Sequence, residues 1–170
     1  WENDYTLFTT DVLVSTNSAK SNSSAGGKLT EEAVKLREIR STAKSRDEII
    51  ERIDQETILP GSEKAAFYDA KNINELKSVI QQKEDEMLSK AVRYLEKAVS
   101  EDIHPKYVDG LLLLGNAHFH HGKNFQAATD AYFRILEINP EYNRVYDNLI
   151  IIFNVCEDVD FKIKTWEKIS

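Results

Sequence analysis

Hydrophobic residues in the C-terminal half of the chain recur every three to four positions, which is the period of an amphipathic α-helix. Between residues 105 and 140 they form two such stretches, separated by a turn at Gly122. Pro140 cannot continue a helix and therefore ends the second stretch. The pattern predicts a helix hairpin over residues 105–140 and a further helix from about Asn143.

Small residues indicate where the two helices of this hairpin cross. Gly115 in the first helix and Ala128 in the second would allow the two backbones to approach closely. Large apolar side chains surround that crossing and would fill the space beside it, namely Leu111, Leu114, Tyr132 and Ile135.

The order of these small and large residues resembles the tetratricopeptide repeat. The residues that carry the resemblance are Leu114, Gly115, Gly122, Ala128, Tyr132, Asn139 and Pro140. The prolines that bound the hairpin, Pro105 and Pro140, are 140 − 105 = 35 residues apart, against a family period of about 34. The resemblance implies an all-α solenoid of stacked antiparallel hairpins over residues 86–170, with less regular repeats on either side of the clear one.

The first 27 residues have a different composition. Residues 1–14 are rich in threonine, valine and aromatic residues, which favours an extended segment. Residues 15–27 contain no large apolar side chain and are dominated by serine, asparagine and glycine, which is typical of a flexible linker. We expect the extended segment to dock on the helical body, in a groove or along its flank.

Residues 28–85 are predicted to form a helical N-terminal part. Thr30 is a candidate N-cap, with Leu29 and Val34 placed as a hydrophobic staple. Ser45 and Glu48 match a capping box. Two helices separated near Ser45 and one long kinked helix over residues 30–58 are both compatible with this pattern.

A second ambiguous stretch follows, and either Asn72 or Asn74 is placed to cap its helix. Apolar residues from Leu76 to Ala98 lie on one helical stripe, with Glu84 as the single polar member. Either one helix of about 28 residues or a hairpin broken near residues 83–86 fits this stripe.

Composition and charge disfavour some of the functions that a helical protein could have. The chain has 170 residues, a hydrophobic fraction of 41% and a net charge of −7 without a block of lysine and arginine, so nucleic acid is disfavoured as a partner. No apolar run approaches the roughly 18 residues of a membrane-spanning helix. The sequence begins at Trp1 rather than Met, so we expect a soluble fragment or a processed form. A signal peptide or an anchor upstream of Trp1 would leave no trace in this sequence, so the sequence does not predict the cellular compartment.

The sequence offers little for catalysis. His118, His120 and His121 are close together, and His118 and His121 would share a helix face, but no HExxH motif or further ligand completes a metal site. Cys156 is the only cysteine and has apolar neighbours, as a core residue would. Nucleophile and phosphate-binding motifs are missing too. We therefore predict a non-enzymatic protein without metal or cofactor.

The first helices of tetratricopeptide repeats line a concave groove, and the resemblance implies which residues would face it. On the first repeat helix these are Leu112, Asn116, Phe119 and His120, and on the next they are Asp147, Ile151, Asn154 and Val155. Asn116 matches a position at which the family often has an asparagine that bonds the backbone of a bound peptide. Leu112 and His120 stand where family members have lysines that clamp a terminal carboxylate, so an extended apolar ligand is expected instead.

These patterns predict a protein–protein interaction module that holds a protein or an extended peptide in an apolar, helix-lined groove and so scaffolds or stabilises a complex. The alternative is a structural homo-oligomer in which the same apolar surfaces bury each other.

Overall fold

The structure, a computed structural model, describes residues 3–169. Over this part of the chain the backbone forms nine α-helices and no β-strand, which confirms the prediction of an all-α fold. The helices are α1 (Asp4–Val14), α2 (Ala19–Thr42), α3 (Arg46–Glu56), α4 (Gly61–Asp69), α5 (Ile73–Ala98), α6 (Val108–His120), α7 (Phe125–Ile138), α8 (Asn143–Val155) and α9 (Val159–Glu167).

The two longest helices, α2 and α5, form an antiparallel pair at the centre of the molecule. The start of α2 lies against the end of α5, because Gly26 contacts Leu95. Further along the pair, Arg40 at the end of α2 bonds Glu84 in the middle of α5. Hydrophobic residues of both helices are fully buried along this interface.

Helices α3 and α4, with the residues that connect them, are inserted between α2 and α5 in the sequence. Their apolar residues Ile49, Ile53 and Phe67 join the core that α2 and α5 build. The Arg46 guanidinium at the start of α3 donates hydrogen bonds of 2.8 Å to the carbonyl oxygens of Tyr68 and Ala70 at the end of α4. The insertion therefore closes on itself and covers one side of the central pair.

A second core lies between the end of α5 and the helices α6 to α8. Leu111, Tyr132, Ile135 and Leu149 are buried in it, and Cys156 belongs to the same cluster. The helix that the sequence predicted from about Asn143 is α8, so that prediction is confirmed.

The prediction of an extended N-terminal segment is wrong for the residues that the structure describes, since α1 is a helix. Asn3 caps it by accepting a hydrogen bond of 3.0 Å from the Thr6 N–H. Tyr5 and Val12 are buried and seven residues apart, so they share one helix face. Tertiary packing outweighs the β propensity of this segment. The segment also includes Trp1 and Glu2, which lie outside the described residues.

The prediction of a flexible linker over residues 15–27 is also wrong, because α2 begins at Ala19 and Ser18 caps it. Gly26 lies in the middle of a tight helix contact rather than in a hinge. Thr30 is not an N-cap either, since its hydroxyl group donates a 2.9 Å hydrogen bond to the Gly26 carbonyl within the helix.

Both alternatives that the sequence left open are decided by where the helices begin and end. Helices α2 and α3 are separate, and Ser45 caps α3 by accepting a 3.1 Å hydrogen bond from the Glu48 N–H. Helix α5 is one continuous helix capped by Asn72. The predicted domain boundary between residues 85 and 86 falls inside α5, so the backbone does not break there. Among the described helices none has the length and the apolar character that crossing a membrane requires.

Candidate partner-binding surface

The crossing of α6 and α7 is built around Gly115. A Cβ atom at this position would lie 2.6 Å from Tyr132 Cδ1 and 2.8 Å from Cζ, which is closer than side chains can pack. Only the absence of a side chain lets the ring come this close to the α6 backbone. The sequence pattern paired Gly115 with Ala128, but the nearest group is the ring of Tyr132, one turn further along α7.

The crossing of α2 and α5 repeats this arrangement. A Cβ atom on Gly26 would lie 2.5 Å from Leu95 Cγ and 3.0 Å from the Ala91 carbonyl oxygen. In both hairpins a glycine of the first helix meets a large residue of the second, and an alanine precedes that large residue by four positions: Ala91 before Leu95, and Ala128 before Tyr132. Sequence reasoning missed this repetition because thirty residues of the insertion (43–72) separate α2 from α5.

Helices α2 and α6 lie side by side and run in the same direction. Gly27 faces Leu113 Cδ1, which would be 3.2 Å from a Cβ atom at the glycine, and Ser23 Oγ would be 3.0 Å from a Cβ atom on Gly110. The positions therefore advance together along both helices. Small residues on each helix permit this close approach.

An asparagine-centred network joins α6, α7 and α8. Asn116 Oδ1 accepts a hydrogen bond of 2.7 Å from the hydroxyl group of Tyr132 on α7 and one of 3.1 Å from Nδ2 of Asn148 on α8. Burial raises the pKa of the Tyr132 phenol well above its usual value, so the hydroxyl group remains a donor. These two bonds fix the orientation of the Asn116 amide.

Two polar groups of this network make no hydrogen bond within the described residues and could bind a ligand. Within residues 3–169, neither Asn116 Nδ2 nor Asn148 Oδ1 makes a hydrogen bond. Both residues are half-buried, so these groups are reachable from the surface. The result is an adjacent hydrogen-bond donor and acceptor, held in place by bonds to the other ends of the same amides.

One of the predicted groove residues on α6 is packed inside the protein instead. Leu112 is only 4% exposed and belongs to the second core, so its assignment to the groove is wrong. Phe119 is half-buried and lies 6.2 Å, centroid to centroid, from Phe125 at the start of α7. Phe125 in turn contacts Phe161 of α9 at 6.3 Å, so these rings form a cluster between hairpins.

His120 is half-buried at the end of α6. Burial, and to a smaller extent the positive charge of Arg37 on α2, lowers the pKa of its imidazole, which is therefore neutral near pH 7. Arg37 is held by buried Glu84, which accepts hydrogen bonds of 3.2 Å from Arg37 and 2.6 Å from Arg40. Arg37 thus adds a cation beside His120 on this side of the molecule.

His118 and His121 contact other groups of the protein rather than forming a metal site. Burial lowers the pKa of His118, and the pair of His121 Nε2 and Ser89 Oγ lies within hydrogen-bond distance, at 3.3 Å. In the described part of the chain no group of three or more histidine, cysteine, aspartate or glutamate side chains is arranged to hold a metal ion.

The four groove residues predicted on α8 are all exposed. Ile151 and Val155 lie one helical turn apart, with exposed fractions of 49% and 42%. Asp147 and Asn154 are exposed as well. Ile151 and Val155 are three and seven residues beyond Asn148 and thus share its helix face. The Asn116–Asn148 network connects this face to α6. We call Asn116, Asn148, Ile151 and Val155 the groove face.

A second exposed apolar surface, which the sequence did not predict as a site, lies on the outer side of α8 and α9. It borders a cleft of about 430 Å³ whose lining includes Phe153, Ile163 and Trp166. We call this surface the terminal face; its members are Ile150, Phe153, Val159, Ile163 and Trp166. The spacing of Val159, Ile163 and Trp166, four and three residues, was the signal for it in the sequence.

We compared the sequence with protein-family models and with curated proteins, and the fold with solved structures, and none of these comparisons found a match.

Proposed function

We propose that the protein is a non-enzymatic protein-binding module built from tetratricopeptide-like hairpins, α2–α5, α6–α7 and α8–α9, and that it holds an extended polypeptide against the groove face. The repeated glycine crossings at Gly26 and Gly115 support the repeat assignment. The parallel packing of α2 on α6 supports it as well, because first helices of neighbouring repeats lie side by side in such stacks.

The observation that carries the proposal is the donor and acceptor pair of Asn116 and Asn148. An extended peptide exposes backbone N–H and C=O groups along its length. Asn116 Nδ2 is placed to donate to a peptide carbonyl group, and Asn148 Oδ1 is placed to accept from a peptide N–H. Because the opposite ends of both amides are already bonded, binding requires little further ordering of these side chains.

The neighbouring side chains define the ligand chemistry. Ile151 and Val155 provide apolar contact beside the amides. Asp147, the neighbour of Asn148 in the sequence, adds an exposed acidic side chain. With a net charge of −7, the chain has no field suited to a polyanion. The proposed partner is therefore a protein segment in extended conformation with apolar side chains.

The experiment is a selection followed by an isosteric substitution. Peptides would first be selected from a random-peptide phage library for binding to the intact wild-type chain. Their affinities for the wild type and for the Asn116→Asp variant would then be compared. This variant keeps the oxygen that accepts from Tyr132 but loses the Nδ2 donor. Losing one hydrogen bond of about 0.5–1.5 kcal/mol weakens binding roughly three- to tenfold. Ile151→Glu should abolish the apolar contact.

Asn74→Ala provides the matched control, because this asparagine is exposed near the start of α5, away from the groove face. It should bind the selected peptides as the wild type does. If Asn116→Asp and Ile151→Glu also keep wild-type affinity for every selected peptide, the groove face is not the binding site and the proposal fails.

A further inference from the structure

The start of α2 contains the one N-glycosylation signal of the sequence. This signal consists of asparagine, any residue except proline, and then serine or threonine, and Asn22, Ser23 and Ser24 match it. A glycan is bulky and hydrophilic, so an asparagine that carries one lies at the surface of the folded protein. Asn22 instead lies within α2 and is only 1% exposed. The fold therefore encloses the side chain to which a glycan would be attached.

Both hydrogen atoms of the Asn22 amide are already bonded to the backbone. Nδ2 donates hydrogen bonds of 2.8 Å to the carbonyl oxygens of Thr16 and Ser18. A glycan would replace one of these hydrogen atoms with a sugar carbon about 1.46 Å from the nitrogen. Along either hydrogen bond, that carbon would lie only about 1.3 Å from the carbonyl oxygen, whereas carbon and oxygen atoms in close non-bonded contact are about 3.3–3.6 Å apart. The glycosylated amide cannot keep this position.

The position of Asn22 on α2 also prevents the side chain from turning outward. Asn22, Gly26 and Leu29 are four and three residues apart and therefore share one face of the helix. That face lies on α5, because Gly26 contacts Leu95 and Leu29 is only 2% exposed. A glycan on Asn22 would have to displace the start of α2 from α5, and these two helices form the central pair of the molecule.

We propose that Asn22 is a glycosylation site that is open only in the unfolded chain, so that attachment of a glycan and formation of this fold exclude each other. In the reaction, Asn22 Nδ2 forms a bond to the first sugar carbon of a lipid-pyrophosphate-linked oligosaccharide. The bond between that carbon and the pyrophosphate oxygen breaks, the lipid pyrophosphate leaves, and Nδ2 loses one proton. The unfolded chain presents Asn22 to the transferase, whereas the folded chain buries it.

The outcome for each chain depends on which event comes first. A chain that folds first is protected from the transferase, because Asn22 is enclosed. A chain that is glycosylated first cannot bring the start of α2 onto α5. This exclusion holds whether or not the groove face binds a peptide.

Translation of the full 170-residue chain into endoplasmic-reticulum microsomes, behind a cleavable signal peptide, tests the exclusion. A shift in electrophoretic mobility that endoglycosidase H reverses identifies the glycosylated chain. Limited digestion with trypsin then compares glycosylated and unglycosylated chains of the same sample. The glycosylated wild-type chain should be digested about tenfold faster or more, because the protease cleaves chains in which the fold is open.

Two variants separate the burial of Asn22 from the effects of translocation and of the glycan itself. Ser24→Ala removes the signal, and this chain should remain unmodified and resistant to trypsin. Adding Ala19→Thr to Ser24→Ala moves the signal to Asn17, which is exposed in the turn before α2. This second variant should carry a glycan and resist trypsin as well as the unmodified chain does.

Three results would overturn the proposal. The first is a glycosylated wild-type chain that resists trypsin as well as its unglycosylated counterpart. The second is a wild-type chain that stays unmodified while Asn17 of the second variant is glycosylated, since Asn22 would then not be a site. The third is an Asn17 glycoform that is digested as fast as the wild-type glycoform, because the glycan rather than the burial of Asn22 would then open the fold.

Discussion

Replacing Gly115 with alanine provides a direct test of the helix crossing. The added Cβ atom would lie 2.6 Å from Tyr132 Cδ1, so either the ring or the α6 backbone has to move. The ring has little freedom, because Tyr132 is only 2% exposed and its hydroxyl group is bonded to Asn116. A rigid buried neighbour cannot relax in the way that the end of a flexible side chain would.

Two opposing effects determine how much stability the Gly115→Ala variant loses. Overpacking a well-filled core costs about 1–3 kcal/mol, and we expect the upper half of that range because the ring is fixed. Alanine favours a helix interior over glycine by about 0.8–1.0 kcal/mol. The net loss for Gly115→Ala is therefore about 1–2 kcal/mol, which corresponds to a fall in Tm of about 2–8 °C for a chain of this size.

Thermal unfolding followed by circular dichroism would measure this loss. Gly61→Ala is the matched control, because a Cβ atom there meets nothing within 4 Å, so its Tm should be unchanged or raised. A second substitution, Tyr132→Leu, removes the ring, and the double variant should lose less stability than the two single losses added together. The crossing as described would be refuted by a Tm for Gly115→Ala that equals or exceeds that of the Gly61→Ala control.

Two further outcomes follow from the electrostatics. Burial lowers the pKa values of His118 and His120 below the ordinary histidine value of 6.5. Below about pH 6.5 the unfolded chain therefore binds protons at these histidines that the folded chain does not bind. The free energy of unfolding should consequently fall as the pH drops through about 6.5. Double substitution of these histidines by glutamine should flatten that decline between about pH 7 and pH 5.5 in thermal melts, whereas an unchanged decline would assign it to other groups. Arg40→Met leaves buried Glu84 with Arg37 as its remaining partner and should lower Tm more than Arg52→Met, which breaks an exposed pair with Glu56. Equal shifts in Tm would show that the buried pair stabilises the fold no more than the exposed pair does.

The helices that were well predicted are those whose partners lie nearby in the sequence. The α6–α7 hairpin has its turn glycine, its crossing residues and its terminal proline within residues 105–140, so the local pattern contained all the information needed. The caps at Ser45 and Asn72 were likewise local signals. These caps, however, could not show whether α5 would be continuous at Glu84, because the arginines that bond this buried carboxylate, Arg37 and Arg40, lie on a helix distant in the sequence.

The N-terminal errors have a common physical origin. Serine and glycine around Gly26 look like a linker when only local burial is considered, yet small residues are what α2 needs in order to approach α5 and α6 closely. Tyr5 and Val12 favour a strand by propensity, but their spacing of seven residues buries both on one helix face. In each case the decisive contact is made by a helix far away in the sequence.

The candidate site was only partly accessible to the same reasoning. Asn116 and the exposed positions on α8 could be placed from helix periodicity. The hydrogen bond from Tyr132 to Asn116 could not be predicted, because it depends on the angles between α6, α7 and α8. The same holds for the bond from Asn148. Leu112 was misplaced because four consecutive leucines leave the orientation of the helix undetermined.

The insertion of α3 and α4 between α2 and α5 also affects how the chain acquires its fold. The α6–α7 hairpin closes a turn of four residues (121–124), whereas α2 and α5 meet only after the thirty residues 43–72 are looped out. By the logarithmic dependence of loop-closure entropy on length, the longer loop costs about 2 kcal/mol more. The nucleus for folding is therefore expected at α6–α7, and the central pair should assemble onto it later. Core substitutions in α6–α7 should slow refolding, and those in α3 or α4 should mainly accelerate unfolding.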